Sequence, residues 1–296
     1  ADRIRASRRP LLVCGGGVRY SEAWETLQAF AEQFRIPLAE TQAGKGLVPW
    51  DHPLNLGGLG VTGGLAANRV AREADLVLGV GTRFMDFTTC SKWLFQNPDV
   101  AFIGINVSAA DALKMDAIPV QADAKRALEA LSMRLAAYGW RASYGPELAR
   151  VREAWMAEIQ AQYDDRRQEG LSQTRALGLV NGFLGPADIA VGASGSLPGD
   201  MQRLWRSGRP GTYHMEYAFS CMGYEACGAL GAKMAEPDAE VYAFLGDGSW
   251  LMLHSELYTA VQEGLKIHLV VMDNAGWGCI ENLQQSQGTP SFGTAF

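Results

Sequence analysis

The sequence predicts an α/β protein made of two three-layer domains, each a parallel sheet covered by helices on both faces. Three observations carry that prediction. Apolar runs of strand length alternate with patterns of helical period along most of the chain. The runs end in glycine-rich or acidic turns. The alternation breaks once, between residues 144 and 169, where the chain turns charged and helical.

Residues 10–14 read as a buried strand closed by Gly15-Gly16-Gly17, and Ser21 is placed to cap a helix with Trp24, Leu27, Phe30 and Phe34 on its apolar face. Residues 36–40 form the next strand, followed by a glycine-rich loop over 57–64 and a helix over 65–72. Strands are expected at 75–81, 101–106 and 118–121, and Asp123 caps a helix with Leu128, Leu131 and Leu135 on one face. After a helical linker over 141–170, a second domain starts with a helix at 174–184 and a strand at 188–193, closed by the loop 195–200. Residues 215–223 lead into a helix at 224–234, with Ala226, Gly228, Ala229, Gly231 and Ala232 on closely packed faces. A strand at 240–245, a helix at 251–263 and a strand at 266–272 complete the pattern.

Composition narrows the function. A net charge of −6 gives no overall basic bias toward nucleic acid. No run of eighteen apolar residues or secretory leader is present, so neither a membrane span nor export is indicated. Five scattered cysteines (Cys14, Cys90, Cys221, Cys227, Cys279) without a Cys-x-x-Cys pair fit a reducing cytoplasm better than a disulfide framework or zinc site. The chain starts without Met and stops just after a motif that belongs inside a domain, so an excerpt of a longer protein is expected.

The chemistry concentrates near the C-terminus. Gly246-Asp247-Gly248-Ser249 closes one apolar run and Asp273-Asn274 closes the next, with a helical pattern between them. In a parallel βαβ unit both strand ends fall on one sheet edge, so the Asp247 carboxylate and the Asn274 amide converge. A few hard oxygen donors suit a magnesium ion that also holds phosphate oxygens. The glycines admit an anion close to the backbone, and the following helix turns its N-terminal amides toward it. An acidic turn and a simple helix cap are the bland alternatives.

Other motifs are weaker. Gly15-Gly16-Gly17 lacks the Gly-x-Gly-x-x-Gly spacing, since Tyr20 stands at the last position, and reads as a plain turn. Gly44-Lys45-Gly46 lacks the phosphate-loop spacing, though Lys45 could reach a ligand. His52, His214, His254 and His268 show no ligand spacing; His254 reads as structural, and His214 is either structural or turned to substrate.

The Gly-Asp-Gly…Asn spacing resembles the diphosphate-binding motif of thiamine-diphosphate enzymes. There the pattern usually ends Asn-Asn, where this chain has Asp273-Asn274. The segments at 41–46, 57–63, 81–89, 105–108, 195–200, 220–225 and 251–257 are similar to those of the trihydroxycyclohexanedione hydrolases of inositol breakdown. The resemblance implies that residues 1–140 are the central domain and residues 171–296 a C-terminally incomplete diphosphate-binding domain, with the pyrimidine-binding domain absent. It implies thiamine diphosphate and Mg2+ as cofactors. Asp247, Asn274 and the carbonyl near Gly276 would hold the metal. Gly195, Ser196, Leu197, Gly246, Gly248, Ser249 and Asn274 would line the diphosphate. Ser220 and Met222 would lie at the aminopyrimidine ring, where Met222 is either a wedge under the cofactor or core filler.

The activating glutamate belongs to the missing domain, so no catalytic residue is expected in this chain, and the excerpt alone is expected to be inactive. The implied reaction is hydrolytic C–C cleavage of a cyclic dione, a small-molecule substrate, to a deoxy-glucuronate, with the cofactor as electron sink. A homodimer or homotetramer in the cytoplasm is implied for the full-length protein. An acetolactate-synthase-like carboligase or decarboxylase, and a non-catalytic cofactor-binding remnant, are the alternative readings.

Overall fold

A computed structural model describes residues 1–167, 170–216 and 218–296. Gln168 and Glu169, at the end of the expected linker, and Tyr217, in the expected lead-in over 215–223, lie outside the described residues. The chain forms two compact units. The first comprises Ala1–Asp164 with Gln202–Pro210, the second Asp165–Met201 with Gly211–Phe296. Among the described residues no helix is long and apolar enough to cross a membrane.

The first unit holds six strands: β1 (Pro10–Cys14), β2 (Leu38–Glu40), β3 (Asn55–Gly58), β4 (Leu76–Val80), β5 (Ala101–Asn106) and β6 (Ile118–Gln121). All pair in parallel, in the order β3-β2-β1-β4-β5-β6. Side chains alternate across the sheet, so Leu12, Leu38, Leu78 and Ile105 enter one core and Leu11, Val13, Val77 and Phe102 the other. Helices Trp24–Phe34 and Ala124–Ala136 cover the first face, and Leu65–Glu73 and Glu147–Tyr163 the second. The charged helix Glu147–Tyr163 buries Trp155 and Ile159 in this second core. The returning segment is tied to the same unit. Gln202 Nε2 donates to the carbonyls of Glu40 (3.4 Å) and Leu59 (3.3 Å), and the Tyr163 hydroxyl donates to the Leu204 carbonyl at 2.7 Å.

Several expectations for this unit need correction. Ser21 does not cap the helix that follows it. Residues Gly16–Tyr20 form a helical turn of their own, which delays the next helix to Trp24. Ser21 Oγ instead donates to Asp123 Oδ2 at 2.6 Å and accepts from Lys125 N at 3.0 Å. The expected glycine loop begins inside a strand, β3, because Gly57 and Gly58 complete the pairing with β2. Lys45 is only 2% exposed and faces Glu40, itself buried, with 3.5 Å between Nζ and Oε2, so it belongs to the interior.

The strand order reverses between β1 and β4, where open α/β sheets often hold ligands. Here that crevice is closed by backbone. A Cβ on Gly15 would lie 2.3 Å from the Gly81 carbonyl oxygen, and Gly17 N donates to that oxygen at 2.9 Å. Gly15-Gly16-Gly17 serves packing.

The second unit holds β7 (Ile189–Gly192), β8 (Tyr213–Met215), β9 (Val241–Gly246) and β10 (His268–Met272), all parallel, in the order β10-β9-β7-β8. Ile189, Val191, Val241, Ala243 and Leu245 pack against Ala229 of helix Tyr224–Ala235. A Cβ on Gly228 of that helix would run into Tyr224 and Val191, whereas a Cβ on Gly231, expected on a packed face, would meet nothing within 4 Å among the described residues. The helix expected over 251–263 is two helices, Asp247–Met252 and Glu256–Gln262. Leu253 is extended (φ −153°) and its Cβ fills the space a Gly223 side chain would need, which stops the first helix. His254 sits in the break, its Nδ1 2.9 Å from the Trp250 carbonyl oxygen.

Candidate functional site

In the second sheet the strand order reverses between β7 and β9: the chain leaves β7 toward β8 on one side and β9 toward β10 on the other. Their carboxyl ends open a crevice at that point. Unlike its counterpart in the first unit, it holds a cavity of about 210 Å³.

Three strand ends build it. The register sets Gly246 of β9 opposite Met272 of β10, so Asp247 and Asn274 leave adjacent strands on the same edge. Asp247 is oriented by the backbone on both sides. Gly248 N donates to its Oδ1 and Gly276 N to its Oδ2, each at 3.0 Å. The second bond requires the turn after β10, where Ala275 is left-handed (φ 57°) and Ala275 N donates to Asp273 Oδ1 at 3.0 Å. Asp273 therefore shapes the turn that brings Gly276 to Asp247. A Cβ on Gly278 would lie 2.5 Å from Asn274 Nδ2, so the glycine makes room for that side chain. Beyond the turn, Trp277 N donates to the Thr294 carbonyl at 2.7 Å, and the Trp277 ring meets Phe296 edge-on with centroids 4.9 Å apart.

The other two walls come from the chain after β7 and before helix Tyr224–Ala235. Gly195 takes a left-handed conformation (φ 81°), and a Cβ there or on Gly246 would project into open space. Helix Leu197–Leu204 begins within the stretch expected as a loop. On the other side Glu216 accepts from Phe219 N (3.1 Å) and Cys221 N (2.8 Å), ordering the loop that presents Ser220 (φ 55°) and Met222.

The cavity gathers the residues that the resemblance implied for metal and cofactor: Gly195, Ser196, Leu197, Ser220, Met222, Gly246, Asp247, Gly248, Ser249, Asn274 and Gly276 all line it. Gln173 and Trp277 line it too and were not anticipated, and Gln173 Nε2 donates to Asp200 Oδ2 at 2.7 Å. His214 does not line it. His214 Nε2 lies 2.8 Å from the Gly211 carbonyl oxygen. Sequence reasoning also assigned no role to Glu225, which is fully buried beneath the cavity and accepts from Ser194 and Ser249. Its one sequence signal is that it shares a helical face with the buried Ala229, four residues on.

The electrostatics are one-sided. Among the described residues the lining carries the Asp247 carboxylate and no Lys, Arg or His. An anionic ligand would find backbone N–H groups there but no side-chain cation. Among the described residues no three His, Cys, Asp or Glu converge on a metal. The oxygen donors of the described lining are the Asp247 carboxylate, the Asn274 and Gln173 amides, serine hydroxyls and backbone carbonyls. That set fits magnesium, which keeps several non-protein oxygens and is commonly held by one or two carboxylates together with phosphates.

Both parallel sheets agree with the comparisons. The chain belongs to the thiamine pyrophosphate enzymes: residues 1–131 match their central domain and residues 193–295 their C-terminal TPP binding domain. Over 319 aligned positions it is 53% identical to a protein of Bacillus cereus named 3D-(3,5/4)-trihydroxycyclohexane-1,2-dione hydrolase 2. It is 51% identical to a Bacillus thuringiensis protein named 3D-(3,5/4)-trihydroxycyclohexane-1,2-dione hydrolase. Each alignment covers 100% of this chain and 50% of the relative, so the chain spans about half the length of the curated relatives it matches.

Proposed function

We propose that these residues are the central and diphosphate-binding parts of a thiamine-diphosphate- and Mg2+-dependent hydrolase that cleaves a C–C bond of trihydroxycyclohexane-1,2-dione. The observation that carries the reading is the cavity at the strand-order reversal of the second sheet, where Asp247, Asn274 and Gly276 meet without any side-chain cation. A diphosphate can be held there only if a bound cation offsets its charge and that of Asp247. The hydrolase names of relatives matching the whole chain at 51–53% identity support the substrate.

The residues present fit the cofactor's diphosphate end. Asp247 and Asn274 would hold the cation, with the Gly276 carbonyl completing the protein's share. Gly246 and Gly195 leave the backbone open to the anion, and Gly248 and Ser249 flank it. Ser220 and Met222 would border the rest of the cofactor. Bound thiamine diphosphate supplies the electron sink for breaking a bond next to a carbonyl. The chain's own contribution is to bind and orient that cofactor. Among the described residues no Asp, Glu, Lys, Arg or His other than Asp247 lines the cavity, so proton transfer falls to residues elsewhere in the complete protein. Assembly as a homodimer or homotetramer, a cytoplasmic location and a place in inositol breakdown complete the reading.

The test is turnover by the full-length protein with Mg2+ and thiamine diphosphate. Consumption of the cyclic dione with release of a carboxylate is expected. Pyruvate consumption without dione hydrolysis would replace the reading with a carboligase or decarboxylase. A protein that binds cofactor and turns over neither would be a non-catalytic remnant.

A further inference from the structure

Glu225 is a carboxylate with no solvent exposure, in the first turn of helix Tyr224–Ala235. A glutamate there ordinarily serves the helix's own first amides, and its Oε2 does so, accepting from Gly223 N at 2.9 Å. Its Oε1 does something else. It accepts from Ser194 N (3.3 Å), Ser194 Oγ (3.3 Å) and Ser249 Oγ (3.1 Å), and the two serine oxygens lie 3.1 Å apart.

Those partners sit at the two strand ends on either side of the order reversal. Ser194 precedes Gly195 and Ser196 after β7. Ser249 follows Asp247 and Gly248 after β9. Gly223 closes the loop that presents Ser220 and Met222. One buried group therefore ties together three of the segments that wall the cavity. Four donors converge on it, which calls for a group that only accepts.

We propose that Glu225 is a positioning residue for the cofactor's diphosphate, acting through Ser194 and Ser249. It draws the hydroxyl hydrogens inward and fixes both strand ends in the geometry that receives the anion. At that corner the cavity presents backbone N–H groups and hydroxyl lone pairs rather than hydroxyl donors. Ser249 then lines the diphosphate through its backbone, and its hydroxyl links Glu225 to the turn carrying Asp247. The inference rests on the cofactor reading above.

The experiment is calorimetric binding of thiamine diphosphate to the full-length protein in Mg2+, with the variants E225Q, S194A/S249A and the triple combination. Glutamine keeps the volume but turns one acceptor into a donor that must face Gly223 N–H or the serines. E225Q is expected to bind about 10- to 100-fold more weakly. In the S194A/S249A background the same change should cost less than about threefold, because the groups it acts through are gone. Equal affinity of E225Q and wild type overturns the inference, as does an undiminished loss in the serine-free background, which would mark a merely structural role. If E225Q does not fold, S194A/S249A decides alone: weaker binding with unchanged thermal stability supports the inference, and wild-type affinity overturns it. A wild-type protein that binds no thiamine diphosphate overturns the cofactor reading itself, an outcome distinct from all of these.

Discussion

Gly248→Ala should damage the site through one ring. Gly248 lies in helix Asp247–Met252 and its backbone suits any residue, so alanine meets no backbone strain. Alone, the exchange would favour the helix by up to about 1 kcal/mol. The space is the difficulty. The new Cβ would lie 2.3 Å from Trp277 Cζ3 and 2.6 Å from Cε3, where ordinary contact needs at least 3.4 Å. The ring must retreat by about 1 Å, since close-packed neighbours leave no slack. It cannot slide freely, because Phe296 meets it edge-on and the backbone N–H of Trp277 is bonded to the Thr294 carbonyl. Overpacking of this kind costs about 1–3 kcal/mol, so the net destabilisation is about 0–2 kcal/mol after the helix gain. Urea unfolding at constant m reads it directly. The diagnostic is a change of sign. In a W277L background the obstacle is smaller, and G248A should become neutral or stabilising by up to about 1 kcal/mol. The same destabilisation in both backgrounds would refute the argument that Trp277 packs on Gly248.

Other expectations follow from the same geometry. Asp247→Asn leaves either Gly248 N–H or Gly276 N–H facing an amide donor and removes the carboxylate proposed to hold the cation; calorimetry in Mg2+ should show about 10- to 100-fold weaker thiamine diphosphate binding, and unchanged affinity would rule out that role. Trp155, 2% exposed and wedged against Gly57 and Gly64, should cost about 3–5 kcal/mol on replacement by alanine. Its indole N–H has no hydrogen-bond partner, so W155F should cost clearly less, and equal losses would contradict this packing. Hydrogen bonds from His268, then Lys266, hold the Glu240 carboxyl below the ordinary glutamate value of 4.5. Its folded pKa is depressed, so its contribution is complete above the unfolded value and disappears as pH falls through the folded one. Stability measured downward from neutral pH should therefore fall less steeply below pH 4.5 in E240Q than in wild type; parallel curves would count against the pairing.

The strands that were legible in the sequence share a cause. β1, β5 and β6 were bounded to the residue because each apolar run stands between turn residues. β3 and β8 were not, since they are three or four residues long and contain glycine or histidine, and only their neighbours' pairing makes them strands. The break at Leu253 has no local signal either, for it depends on Gly223, far away in sequence. The convergence of Asp247 and Asn274 was legible because both sit where strands end, which periodicity locates, whereas Ser220 and Met222 were implied only by the family resemblance. The Glu225 network was not, because its serine partners are 24 and 31 residues away and burial of a lone carboxylate leaves no mark on composition or spacing. Ser21 shows the same limit: a residue suited to capping one helix was taken up by another, at Asp123 and Lys125.

Crystals of the full-length protein grown with Mn2+ and thiamine diphosphate, measured at the manganese absorption edge, would show whether a divalent cation bridges the ends of β9 and β10. One anomalous peak bonded to side-chain oxygens of both Asp247 and Asn274 and to the diphosphate is expected. A bound cofactor whose metal lies away from either residue would refute the proposed cation site.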